Sequence, residues 1–307
     1  MSIPTIIILS VILIPLLFFF FIGERGKFLL PSTRKFIKEG GWSRLINFQT
    51  LHGYIYMRWQ KLYLSTFINK IGPISPKKMR QWWANRYHAK VMTDDQAKDM
   101  ILIDESIPYQ KIEKVLPYPI ARDILLDAPS KITLYNCGCR LARKKHCEPT
   151  DVCIWIGDTF ADFMLEHHPK EGRAISQQEA IEILSAEHEL GHVHTAWFKD
   201  AMLDRFYVIC NCCPRCCGGI EVMNKFGIPM LNSSGYVANI DESLCELCGK
   251  CVDLCPFNAL KIDGDLILNW DKCMGCGVCV DVCSSEAISL ELDSRKGVPL
   301  EVDQLLA

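Results

Sequence analysis

Cys245-Glu-Leu-Cys248-Gly-Lys-Cys251-Val-Asp-Leu-Cys255-Pro256 and Cys273-Met-Gly-Cys276-Gly-Val-Cys279-Val-Asp-Val-Cys283-Ser284 repeat one spacing, Cys-x2-Cys-x2-Cys-x3-Cys. The runs align at an offset of 28 residues, with Cys245 on Cys273, Cys255 on Cys283 and Ala259 on Ala287. A cubane metal–sulfide core needs four thiolates. Three cysteines at spacing three can wrap it in one loop, and the fourth must come from elsewhere. The repeat therefore predicts two half-units about a pseudo-two-fold axis. Gly249, Gly275 and Gly277 let the backbone pass close to the sulfides. The apolar runs Ala259 to Ile262 and Ala287 to Leu292 read as short strands closing each half. A zinc site or a disulfide framework competes with this reading, and the doubled spacing of eight cysteines speaks against both.

From Val237 to Leu292 the sequence resembles the two-cluster bacterial-type ferredoxins. In that family the fourth cysteine of each run ligates the other cluster. The resemblance implies two [4Fe-4S] clusters, one on Cys245, Cys248, Cys251 and Cys283, the other on Cys273, Cys276, Cys279 and Cys255. Ser284 stands where the family often has proline, as it does here at Pro256. That proline shapes the loop and is not a ligand.

The chain has 307 residues, 17 cysteines and a net charge of −2, so bulk charge names no partner. An odd cysteine count with eight in this spacing argues against a secreted disulfide scaffold and for a reducing compartment. Ile3 to Ile22 carries no charge and, at about 1.5 Å per residue, is long enough to cross a bilayer. It lacks the basic start and small-residue cleavage site of a signal peptide. Arg25, Lys27, Arg34, Lys35 and Lys38 follow it, so a single-pass membrane protein with its soluble part on the cytoplasmic side is expected.

Gly40 to Thr93 holds nine Lys or Arg, ten aromatics and no Asp or Glu. This composition suits helices on an anionic membrane surface, or aromatics forming core or a partner interface. Nucleic acid is not expected as a partner. Gly72-Pro73-Ile74-Ser75-Pro76 breaks the region in two. Asp94-Asp95 start a helix over Gln96 to Ile103, Pro108, Pro117 and Pro119 punctuate a loop, and Ile120 to Leu126 reads as a short helix. Lys131 to Tyr135 and Phe206 to Ile209 read as strands delivering cysteines.

Those cysteines are Cys137, Cys139, Cys147, Cys153, Cys210, Cys212, Cys213, Cys216 and Cys217. Soft thiolates select iron–sulfur or zinc. Adjacent pairs such as Cys212-Cys213 do not easily reach one metal, so some of the nine are structural or redox-active on this reading. One or two further iron–sulfur clusters are expected here, with structural zinc, a redox thiol pair and simple burial as alternatives. The Cys-x-Cys-Arg loop and the Ile-Cys-Asn-Cys-Cys segment resemble poorly characterised iron–sulfur proteins of anaerobes over roughly Ile120 to Leu292. That likeness implies electron transfer and gives no substrate.

His188-Glu189-Leu190-Gly191-His192 matches the zinc-protease signature H-E-x-x-H. Ser176-Gln-Gln-Glu179 caps a helix over Ala180 to Leu190, but Gly191 ends it before His192 can share the helix face. His192 or His194 remains a candidate cluster ligand or proton carrier.

The fold class is thus α+β. The divisions are a transmembrane anchor at 1–23, a helical collar at 24–93, a cysteine-rich domain of mixed helices and short strands at 94–236, a two-cluster domain at 237–292 and a tail at 293–307. The function expected is a membrane-anchored iron–sulfur electron carrier with a redox partner protein. The alternative is a catalytic oxidoreductase subunit whose upstream cysteines reduce a substrate.

Overall fold

The computed structural model describes Leu17, residues 23–103 and residues 131–303. The proline loop at 108–119 and the helix expected over Ile120 to Leu126 lie outside the described residues.

Seven strands form one sheet in the order β4 (Gly172–Ile175), β2 (Ile132–Asn136), β3 (Asp151–Ile156), β6 (Arg205–Cys212), β5 (Val193–Lys199), β1 (Tyr87–Met92) and β7 (Leu231–Asn232). All neighbours are antiparallel except β1 and β7. The central strands are rich in β-branched and aromatic residues, and β5 is buried along its whole length, as suits a sheet covered on both faces. Alternation along β3 sends Ile154 and Ile156 to one face, Cys153 and Trp155 to the other.

The aliphatic face packs against α5 (Asp94–Leu102), α8 (Gln177–Glu189) and the returning Leu300 and Val302. Both helices start on a capping side chain. Thr93 Oγ1 accepts from the Gln96 N–H while Gln96 Oε1 accepts from the Thr93 N–H, and Ser176 Oγ accepts from the Glu179 N–H. The opposite face packs against α1 (Pro31–Ile46), α2 (Gln49–Arg58), α3 (Gln60–Thr66) and α7 (Asp158–His167) through Phe36, Tyr54, Tyr56, Met57, Leu64 and Phe163. Further helices are α4 (Lys77–Ala84), α6 (Gly138–Leu141), α9 (Gly218–Phe226), α10 (Lys250–Leu254) and α11 (Val278–Asp281), besides shorter turns such as Gly72–Ile74.

The C-terminal repeat is visible in the backbone. β8 (Tyr236–Ile240) pairs with β11 (Ile288–Leu292), and β10 (Asp265–Leu268) pairs with β9 (Leu260–Asp263), both antiparallel. The 28-residue offset carries β8 onto β10 and β9 onto β11, so one pair is the pseudo-two-fold image of the other. α10 and α11 each start on a glycine with positive φ, Gly249 (80°) and Gly277 (87°).

Two expectations are corrected. No helix among the described residues is long and apolar enough to cross a membrane. The longest, α1, has 16 residues and carries Arg34, Lys35, Lys38, Glu39 and Arg44. The Ile3–Ile22 run lies outside the described residues, Leu17 excepted, so the transmembrane helix, the single-pass membrane localisation and the membrane as partner have no support in the structure. The short strands expected of the cysteine-rich region are part of the seven-stranded sheet, to which Tyr87–Met92 from the basic, aromatic stretch also belongs.

Candidate metal centres

The C-terminal repeat encloses two small cavities. One is lined by Cys245, Cys248, Cys251 and Cys283, the other by Cys273, Cys276, Cys279 and Cys255. Each cavity thus gathers three cysteines from one run and the last of the other. The last cysteines occupy matching positions. Cys255 Sγ accepts from the Ala259 N–H at 3.2 Å, and Cys283 Sγ accepts from the Ala287 N–H at 3.3 Å.

The cavities differ in surroundings. Cys248 is exposed, with the exposed side chains of Leu244 and Leu247 close in sequence. Cys276 is buried with Phe257, Met274 and Val278, in the same apolar cluster as Cys212 and Cys217 of the sheet region. Burial pushes the Cys276 thiol up to about 12. Three contacts fix this orientation. His188 Nε2 meets the Asp281 carboxylate, Asn224 Nδ2 donates to the Pro256 carbonyl at 3.0 Å, and Ser234 Oγ donates to the Gly275 carbonyl at 2.6 Å.

The nine upstream cysteines separate into two groups, and the adjacent pairs are split between them. Cys212 Sγ lies 3.2 Å from Cys217 Sγ, whereas Cys213 Sγ lies 2.7 Å from Cys147 Sγ and Cys216 Sγ lies 3.6 Å from Cys147 Sγ. Cys213 and Cys216 sit on a tight turn whose 216 and 217 N–H groups both donate to the Cys213 carbonyl.

The larger group is Cys137, Cys139, Cys153, Cys210, Cys212 and Cys217, all lining one cavity of about 470 Å³ that Cys213 and Cys216 also border. Cys153 on β3 stands opposite Cys210 on β6, and their sulfurs are 4.0 Å apart. Cys210 and Cys212 share a strand face at a spacing of two. Cys137 precedes α6, and its sulfur accepts from the Arg140 N–H at 3.5 Å. Hydrogen bonds from Cys139 and Cys153 hold the Cys137 thiol well below its ordinary range against the effect of burial.

Much of the rest of the cavity lining is aromatic. Tyr56, Tyr63, Phe67, Trp83, Tyr87 and Trp197 line it, with Tyr87 stacked on Trp197 at 4.5 Å. Lys199 lies under this box, its Nζ 4.0 Å from the Tyr56 ring centroid and donating to the Tyr63 hydroxyl at 3.4 Å. Burial brings the Lys199 ammonium down to about 7; Arg86 adds to the shift and Asp200 opposes it. Sequence reasoning did not single out Lys199. Its signal would have been a lysine ending an otherwise buried strand.

The H-E-x-x-H motif is broken as expected. Gly191 adopts φ 76°, and Glu189 is exposed. His188 turns to Asp281 and stacks on His194, with ring centroids 5.2 Å apart. His192 turns the other way, placing Nδ1 2.8 Å from Glu187 Oε2. A ring nitrogen of His192, Cys147 Sγ and Cys213 Sγ all lie within 4.8 Å of one another. Arg140, 1% exposed, pairs with Glu187 and donates to the Asn211 carbonyl at 3.0 Å, tying the two cysteine groups together.

Residues 238–284 match the family of the 4Fe-4S dicluster domain. The match covers both cysteine runs and implies iron–sulfur clusters and electron transfer in this module. No curated protein and no solved structure matches the chain. The upstream cysteine region therefore rests on its own geometry.

Proposed function

We propose that this chain is an iron–sulfur electron-transfer protein in which the dicluster module serves a further iron–sulfur centre on the six-thiol wall of the large cavity. The module's ligand sets are Cys245, Cys248, Cys251 with Cys283, and Cys273, Cys276, Cys279 with Cys255. The observation that carries the reading is the module's asymmetry. Its first cavity opens to the surface at Cys248, and its second is buried against the sheet region at Cys276. Electrons from a redox partner protein enter at the exposed end and leave at the buried one.

When bound, the clusters supply one-electron steps. The chain's own groups tune and orient them. The Ala259 and Ala287 N–H groups stabilise negative charge on Cys255 and Cys283, and apolar burial around Cys276 sets a different medium from that at Cys248. Redox titration of the anaerobic protein, followed by electron paramagnetic resonance, tests the path. The expected result is three reducible centres, with magnetic coupling between the buried dicluster site and the upstream one. Only two centres, with the six upstream thiols all reactive toward a thiol reagent after denaturation, would overturn it.

The cavity favours a second reading, in which the upstream centre reduces a substrate there. About 470 Å³ falls within the range of small-molecule sites. Lys199 would be a proton donor beside the aromatic box. Cyanide added to the reduced protein should then perturb the upstream signal alone. An unchanged upstream signal would leave relay as its role.

A further inference from the structure

The smaller group of upstream cysteines has a different chemistry from the larger. We propose that Cys147, Cys213, Cys216 and His192 form a mononuclear zinc site, distinct from the iron–sulfur centres.

A tetrahedral zinc with bonds of about 2.3 Å to sulfur places its thiolates about 3.8 Å apart. Cys216 Sγ and Cys147 Sγ are 3.6 Å apart, and Cys147 Sγ and Cys213 Sγ are 2.7 Å apart. The latter distance exceeds a disulfide bond of about 2.05 Å. Cys147, Cys213 and His192 offer ligand atoms within 4.8 Å of one another, and Cys216 approaches this group through Cys147.

The donor set and its spacing agree. Cys213-Pro214-Arg215-Cys216 is a Cys-x2-Cys turn, the commonest way a chain offers two thiolates to one zinc, and Cys3His is a structural zinc set. The third thiolate comes from the loop after α6 and the imidazole from just beyond α8, so the ion would pin three separate segments. All four residues are buried.

The surroundings of His192 add an independent argument. Zinc-bound histidines usually donate their other ring N–H to a carboxylate, which fixes the tautomer. His192 Nδ1 lies 2.8 Å from Glu187 Oε2 and 3.1 Å from the Arg140 guanidinium, and the tautomer that donates to Glu187 offers Nε2 to the metal. Glu187 is itself held by the buried Arg140. Zinc with three thiolates and a neutral imidazole carries one net negative charge. Arg215 answers it by donating to Cys147 Sγ at 3.4 Å.

The site has a structural consequence. Cys213 and Cys216 lie between Cys212 and Cys217 in the chain, so fixing the inner pair on zinc orients the outer pair toward the cavity.

The test uses the full chain, purified anaerobically from medium containing both iron and zinc. Elemental analysis should give one zinc per chain. Zinc X-ray absorption should give three sulfurs at about 2.3 Å and one nitrogen at about 2.0 Å. Glu187→Gln should weaken zinc against a chelator about 10- to 100-fold with iron content unchanged, and Cys217→Ser should retain the zinc. Wild-type protein without zinc, a zinc shell of sulfur alone, or a Cys147–Cys213 disulfide found by mass spectrometry would each overturn the assignment. The wild-type measurements decide the question even if a variant fails to fold.

Discussion

Gly275→Ala is the substitution for which the two halves of the dicluster module make opposite demands. Gly275 has φ 62°, and a Cβ there would lie 2.2 Å from the Tyr236 carbonyl oxygen and 2.4 Å from Ser234 Oγ. Its counterpart 28 residues earlier is Leu247, with φ 52° and a side chain 43% exposed. The first half accepts a leucine in the left-handed region because its side chain has room. The second half does not, because the chain entering β8 crosses it. The left-handed conformation costs alanine about 1–2 kcal/mol, and displacing backbone from an overfilled site adds about 1–3 kcal/mol. Gly264 provides the control, since its φ is 80° and a Cβ there meets nothing within 4 Å. Gly264→Ala should therefore lose only the first contribution, and Gly275→Ala about 2–5 kcal/mol in all. Anaerobic thermal unfolding measures the difference. Iron content and visible absorbance should fall in Gly275→Ala and hold in Gly264→Ala, because Gly275 lies between Cys273 and Cys276. Equal losses in the two variants would refute the close approach as the reason for glycine.

Three further outcomes follow from buried and exposed charge. Arg140→Met leaves the Glu187 carboxylate buried without its cation, at a cost of about 3–5 kcal/mol, or roughly 6–20 °C in Tm by differential scanning calorimetry. Asp281→Asn loses a pair whose carboxylate is 55% exposed, so it should change stability by under about 1 kcal/mol and leave iron content unchanged. Burial brings the Lys90 ammonium down from 10.5 to about 7. The unfolded chain then holds more protons between those values, so stability should rise with pH across that window, by at most about 1.4 kcal/mol per pH unit from this residue. Lys199 acts with the same sign. Unfolding midpoints across the window should be flatter for Lys90→Met than for the wild type.

What could be read from the sequence differed from region to region for physical reasons. The dicluster module was legible because its ligands are local: three thiolates in one loop, repeated at a fixed offset, name a cofactor without any knowledge of the fold. The helix starts at Asp94-Asp95 and at Ser176 were legible because start signals act over three residues, although the Thr93 cap itself was not read. The strand order was not, since β1 joins a sheet whose other members lie at least 40 residues away, and nothing in Tyr87–Met92 names its partner β5. The basic and aromatic stretch shows the same limit. Its composition suited a membrane surface, but Tyr56, Tyr63 and Tyr87 turn inward to form the cavity. Periodicity marks a face and leaves open what covers it. The adjacent cysteines were the hardest case. The strand period of two places Cys210 and Cys212 on one face, but the direction taken by Cys213, Cys216 and Cys217 depends on the turn that follows.

The account rests most on the claim that the dicluster module is joined to a further iron–sulfur centre on the six-thiol wall. Iron and acid-labile sulfide per chain, measured on anaerobically purified wild type and on a Cys212→Ser/Cys217→Ser double variant, test it directly. The account predicts about twelve irons in the wild type and about eight in the variant, with the dicluster spectrum kept. About eight in both would contradict it.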